Sequence, residues 1–123
     1  MKILATIFFL IPGVINFAPV VGALSAKQLT RLYQIDNLSQ DLELLLRHRA
    51  FLFGIIGTFI IISAFQPNLR IHATIAGLVS MVSFIVLAFT LNIDNPSLVK
   101  IVWVDVFAIV VLLVGFTLHI RSV

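Results

Sequence analysis

The segment Arg47-His48-Arg49 followed by Ala50 to Phe65 most constrains this chain, because a dense positive cluster runs straight into a stretch with no charge. That is the pattern of a helix entering a bilayer core from its interface. The same pattern recurs along the chain. Of its residues, 61% are hydrophobic and 11% charged, against about 45–50% and about 25% in soluble domains. A water-soluble domain of this size would have too little interior to hide so much apolar surface, whereas lipid solvates it. The net charge of +3 comes from basic residues at the ends of apolar runs, which is interface anchoring and not a nucleic-acid patch. With no cysteine, disulfides, thiolate chemistry and Cys-based metal sites are excluded.

Taken in order, four apolar runs at about 3–24, 44–65, 71–92 and 98–120 are each long enough, at about 1.5 Å per residue, to cross a core of about 30 Å. The expectation is a single domain over 1–123. It is all-α, an integral membrane four-helix up-down bundle with an amphipathic first loop. Lys2, the first run and the small residues Gly22, Ala23, Ser25 and Ala26 also fit a secretory leader. The run exceeds the about 7–15 residues of a leader core, which favours an uncleaved span. Pro12 and Pro19 predict a kinked first helix with freed carbonyls near Asn16. Segment 25–43 places Leu29, Leu32, Tyr33 and Ile35 at helical spacing among charges, as an interfacial helix does. Asn37 with Gln40 predicts a capping box and a second helix starting near Leu38. Gln66-Pro67-Asn68 and Asp94-Asn95-Pro96-Ser97 are turns, with Ser97 as the expected cap of the fourth helix.

Membrane helices pack through small residues, which assigns faces. Ala50, Gly54 and Gly57 share a stripe with Arg47, so Arg47 is expected to point inward. Arg49 falls with Phe53, Ile56 and Ile60 and is expected to face lipid, where it snorkels. Ala73, Ala76, Gly77, Ser80 and Ser83 mark the packed face of the third helix. Asp105, Ala108, Leu112, Gly115 and His119 line up on the fourth. A carboxylate at that depth costs about 2.5–3.5 kcal/mol on insertion scales and needs an inward partner.

The polar residues Asn16, Tyr33, Asp36, Arg47, Asn92, Asp94 and Asp105 gather at the end of the bundle reached by the first helix, called the distal end below. Gln66, Arg70, His72 and His119 fall at the proximal end and are read as water-accessible helix-end groups. A site, if present, therefore opens distally. Lys and Arg counts favour a cytoplasmic distal end, whereas Lys2 ahead of a leader-like run favours a cytoplasmic N-terminus, so orientation stays open.

Leu32-Tyr33, Asp36, Leu44 to Gly57, Gly77 to Phe84 and Val104-Asp105 carry a resemblance. Over most of the chain from Leu32 onward, it resembles a family of small four-helix bacterial inner-membrane proteins that often bear the name phosphopantetheine adenylyltransferase. In architecture these are similar to the DoxX-like group. The resemblance implies a multi-pass protein of the bacterial inner membrane. It does not carry the enzyme activity, because that chemistry needs an α/β nucleotide fold with a His-containing loop at a helix N-terminus, a pattern this sequence does not offer.

Arg47 and Asp105, with Tyr33, Asp36, Asn16 and His48, form the candidate ligand-binding cluster. Gly54, Gly57, Gly77, Ser80, Ser83 and Gly115 are the helix-packing set. The expected function is non-enzymatic: binding the polar head of a quinone, isoprenoid or lipid, or assisting a larger membrane complex. Two alternatives stand beside it: a structural or oligomerisation subunit whose Arg47–Asp105 pair neutralises itself, and a small transporter or membrane enzyme using the same cluster. The partners the pattern admits are the bilayer, a lipophilic small molecule, a second copy or a membrane complex, and no nucleic acid. His48, His72 and His119 are spaced without a haem or metal pattern, so no cofactor and no metal is expected. Ser80 and Ser83 have no base at their depth and read as packing residues, and the fourteen-residue gap from Asp105 to His119, about 21 Å, is too long for a dry proton relay.

Overall fold

The computed structural model describes residues 2–23, 30 and 39–122. Among them the chain is an all-α four-helix bundle. The helices are α1 (Lys2–Phe17), α2 (Gln40–Phe65), α3 (Arg70–Thr90) and α4 (Pro96–Ser122), with 3-10 segments at Ala18–Ala23 and Pro67–Leu69. All four are long and apolar enough to cross a membrane, so the chain is a multi-pass membrane protein. The interfacial segment, with Tyr33, Asp36 and the Asn37 cap, lies outside the described residues apart from Thr30.

Local chemistry sets the helix ends. Pro12 sits inside α1 and has no N–H for the Phe8 carbonyl four residues earlier. Asn16 donates its side-chain amide to the Pro12 carbonyl at 2.8 Å. Past Phe17 the α-helix gives way to the 3-10 segment that contains Pro19. The cap of α2 is Ser39, on extended backbone, whose hydroxyl accepts the Leu42 N–H at 3.1 Å, a standard N-cap bond. The fourth helix is capped by Asn95 and not by Ser97. Asn95 Oδ1 accepts the Ser97 N–H at 2.9 Å, and Pro96 at the first helical position loses nothing, because that N–H would have no partner. At the end of α3, Asn92 adopts φ 52°. Its N–H goes to Phe89 O at 3.2 Å, and that of Ile93 to Ala88 O at 3.1 Å, which is a Schellman ending with asparagine in the left-handed position.

Each helix packs antiparallel on the next, α1 on α2, α2 on α3, α3 on α4 and α4 back on α1. Phe9, Ile60, Ala64, Ala73, Met81, Ala108 and Leu112 form the core. The closest crossing is α1 on α2, where a Cβ on Gly57 would stand 2.6 Å from the Phe17 nitrogen and 2.8 Å from the Gly13 oxygen. Only hydrogen fits between two backbones at that separation. Gly115 packs on Phe8 in the same manner, with its virtual Cβ 3.3 Å from the Phe8 carbonyl oxygen that Pro12 leaves without a helical donor.

That crossing corrects the faces assigned to α2. Ala50, Gly54 and Gly57 are buried, but Gly54 and Gly57 meet Val20, Phe17 and Gly13, so the small-residue stripe lies on α1 and not on the bundle axis. The stripe of Arg49, Phe53, Ile56 and Ile60 turns toward α3. Ile60 is fully buried and touches the position of Gly77. Small side chains mark where two helices come closest, and large ones fill the wider space between all four.

Candidate functional site

Of the two arginines in the basic triplet, Arg49 is the one that turns toward α3. Its guanidinium carbon lies 4.5 Å from the centroid of Phe53 and 4.9 Å from that of Phe84, so two aromatic faces, one from α2 and one from α3, stabilise the cation. Asp105 lies on α4, the helix diagonal to α2. Arg47 and Asp105 do not pair. Arg47 instead bonds Glu43 one turn earlier at 2.9 Å, both side chains part-exposed, at the end of the stripe that faces α1, whereas Arg49, about 200° further round the helix, turns toward α3. His48 is exposed and joins Glu43 and Arg47 around a shallow depression on the outer face of α2.

Asp105 is 6% exposed, and its Oδ2 has no hydrogen-bond partner among the described residues. Asn16, 2% exposed, likewise leaves Oδ1 without a partner while its amide reaches Met81 Sδ at 3.6 Å. Buried acceptors left unmade are costly and uncommon. Asn92 and Asp94 are exposed at the turn between α3 and α4, and Asn92 serves there as the helix ending.

Beside Arg49 the bundle is open. The pair α2–α3 is tight at the proximal end, where a Cβ on Gly77 would stand 3.0 Å from Ile60, and parts toward the distal end. It leaves a groove of about 470 Å³ lined by Arg49, Phe53, Ile56, Ala76, Ser80 and Phe84 among others. Ser80 is half-buried and Ser83, which donates to the Ser80 carbonyl at 2.9 Å, is exposed at its rim. The groove faces the lipid side, with exposed Leu52, Val79 and Leu87 along its edges. Its size falls in the usual ligand-pocket range of about 300–1,000 Å³. Chemically it is a hydrocarbon trough with one guanidinium at its end.

The proximal end holds the polar cluster that sequence reasoning missed. Arg70 is 4% exposed and His119 7%, so neither is the water-accessible group expected; Gln66 and His72 are exposed. Arg70 donates from Nε to Ser63 O at 3.1 Å and from Nη2 to Ala64 O at 2.7 Å and Thr6 Oγ1 at 3.2 Å. Its Nη1 lies 3.5 Å from His119 Nδ1, and its guanidinium lies 5.2 Å from the Phe9 centroid. One guanidinium thus ties α1, α2, α3 and α4 together and supplies donors to the last carbonyls of α2, which a helix end otherwise leaves unpaired. The signal was available: Arg70 precedes Ala73 and Gly77 by three and seven residues, on the same buried face.

Among the described residues no group of His, Asp or Glu is arranged to hold a metal ion. The class that fold and site define is a multi-pass membrane bundle with a laterally open, cation-tipped groove. No family model, no curated protein and no solved structure matches the chain.

Proposed function

We propose that the protein is a non-enzymatic membrane protein that binds a lipophilic ligand in the groove between α2 and α3, Arg49 holding the polar head and Phe53, Ile56 and Phe84 the hydrocarbon. The observation that carries this reading is the position of Arg49, half-buried between α2 and α3 and lining a lipid-facing groove of ligand size. A cation at the interfacial end of a hydrocarbon trough suits an amphiphile, whose head and tail part at the same depth. The proposal includes a bacterial inner-membrane location and kinship with the DoxX-like group. It leaves the head to be a quinone, an isoprenoid or a lipid, and leaves open a role beside a larger membrane complex.

A structural reading is favoured by one specific observation, the stacking of Arg49 on both Phe53 and Phe84, which would fix α2 against α3 with no ligand. Native mass spectrometry of protein purified from its own membranes separates the two. The binding reading expects a co-purified lipophile that Arg49→Gln loses and Arg47→Gln keeps. Ligand-free protein, or a lipophile indifferent to Arg49→Gln, supports the structural one.

A further inference from the structure

The polar groups of the groove are ordered by depth. Arg49 stands at its distal end against Phe53 and Phe84, just before the charge-free run that opens at Ala50. Ser80 lines the same groove, one turn of α3 nearer the proximal end than Phe84 and so about 6 Å further into the hydrocarbon. Level with Ser80 and beyond it, the lining is Ile56, Val79 and Ala76. From the interface inward the order is a cation, a hydroxyl and then hydrocarbon alone. The hydroxyl is also uncommitted. Ser63, Thr74, Ser83, Thr90 and Thr117 each donate theirs back to a carbonyl about one turn earlier in the same helix, which is how a helical hydroxyl satisfies itself. Ser80 is half-buried, and its side chain makes no hydrogen bond to any described residue. A donor surrounded by hydrocarbon gains from any acceptor that reaches it.

Resting on the groove as the binding site, we infer that the ligand is an ester-linked phospholipid, its phosphate held by Arg49 and an acyl carbonyl accepting from the Ser80 hydroxyl. In such a lipid the glycerol spacer separates phosphate from acyl carbonyl by a few skeletal bonds, about 5–6 Å. That matches the single turn between Phe84, beside the guanidinium, and Ser80. The acyl chain leaving the carbonyl then runs along Ile56, Val79 and Ala76. Phosphate suits the outer position because a charge-assisted hydrogen bond is about twice as strong as a neutral one, and a guanidinium has donors enough to serve several acceptors. Other amphiphiles use less of the groove. A fatty acid has no acceptor below its carboxylate, and a quinone offers Arg49 only a neutral carbonyl.

The test places the full chain in nanodiscs of ether-linked phosphatidylcholine doped with one probe at a time: dioleoyl phosphatidate, its dialkyl ether analogue, oleate or decylubiquinone. Occupancy is read by native mass spectrometry against probe mole fraction. The ester phosphatidate is expected to bind about fivefold more tightly than the ether, the contribution of one neutral hydrogen bond, and more tightly than oleate or the quinone. Ser80→Ala should bring the ester-to-ether ratio toward one and leave the affinity for the ether unchanged. A general loosening of the groove would weaken both lipids alike. Arg49→Gln should weaken both phosphatidates and keep their ratio. Should Arg49→Gln fail to assemble, the ratios in the wild type and in Ser80→Ala decide alone. An ester equal to the ether, a ratio that Ser80→Ala does not move, or oleate or the quinone binding most tightly overturns the inference. If the bound probe is then lost in Arg49→Gln, the groove stands and only the ligand class fails. If no probe binds, or binding ignores Arg49→Gln, the groove reading falls as well.

Discussion

Two arginines separated by one histidine have opposite fates, and the difference should be measurable as energy. Arg47 and Glu43 form an i, i+4 pair on a surface where the side chains keep 40% and 28% of their exposure. Such pairs contribute about 0.3–0.5 kcal/mol. Arg49 is half-buried against Phe53 and Phe84, and Asp105 is a buried carboxyl on the diagonal helix; if the two form a charge couple, removing one member costs about 3–5 kcal/mol when the other is left behind. Arg47→Leu should therefore change stability by less than about 0.5 kcal/mol. Arg49→Leu should cost several-fold more, and the double variant Arg49→Leu with Asp105→Leu should recover most of the loss, since two apolar residues replace two charges. Reversible unfolding in mixed micelles measures the wild type, the three single variants and the double variant. Additive losses for Arg49→Leu and Asp105→Leu would show that the two charges do not interact.

At the scale of the helix, the contact of α1 with α2 depends on having no side chain at Gly57. A methyl there would sit 2.6 Å from Phe17 N and 2.8 Å from Gly13 O, whereas one at Gly54 would meet only the side chain of Val20. Backbone cannot move aside and a valine methyl group can. Gly57→Ala is accordingly expected to destabilise by about 1–3 kcal/mol, the usual cost of overpacking, and Gly54→Ala by clearly less in the same assay. Equal effects would mean that the crossing is looser than it looks. This crossing also explains what the sequence could convey about faces and what it could not. On α4 the inward line of Asp105, Ala108, Leu112, Gly115 and His119 is buried throughout, between the two helices, α1 and α3, on which α4 packs. On α2 the glycine stripe was legible as a packed face, but its partner was not. Spacing tells which residues share a face, and only the tertiary arrangement tells whether that face meets one near helix or the axis of four. Arg70 was misjudged for a related reason. A charge near a helix end is ordinarily wetted, yet here the last carbonyls of α2 and the α1 hydroxyl of Thr6 supply the solvation that water would have given.

For the molecule as a whole, four apolar runs joined by short polar turns determine the architecture, because every backbone polar group inside lipid must be satisfied within its own helix. The up-down order then has a consequence independent of any ligand. Ser39 before α2 and Asp94 before α4 lie at the distal end, Asn68 between α2 and α3 lies at the proximal end, and all three are exposed. The chain has no native cysteine, so single substitutions report cleanly. In intact cells treated with a membrane-impermeant maleimide, Ser39→Cys and Asp94→Cys should react alike and Asn68→Cys oppositely, whichever way the protein is inserted. The same comparison resolves the conflict between Lys2 and the distal basic residues as orientation signals. Labelling of Asn68→Cys alone puts the distal end, with Arg47, in the cytoplasm. Labelling of the other two alone puts it outside, with the groove mouth in the outer leaflet. Reaction of all three from one side would be incompatible with four spans, since Asn68 is separated from Ser39 by α2 and from Asp94 by α3, each long enough to cross the core on its own.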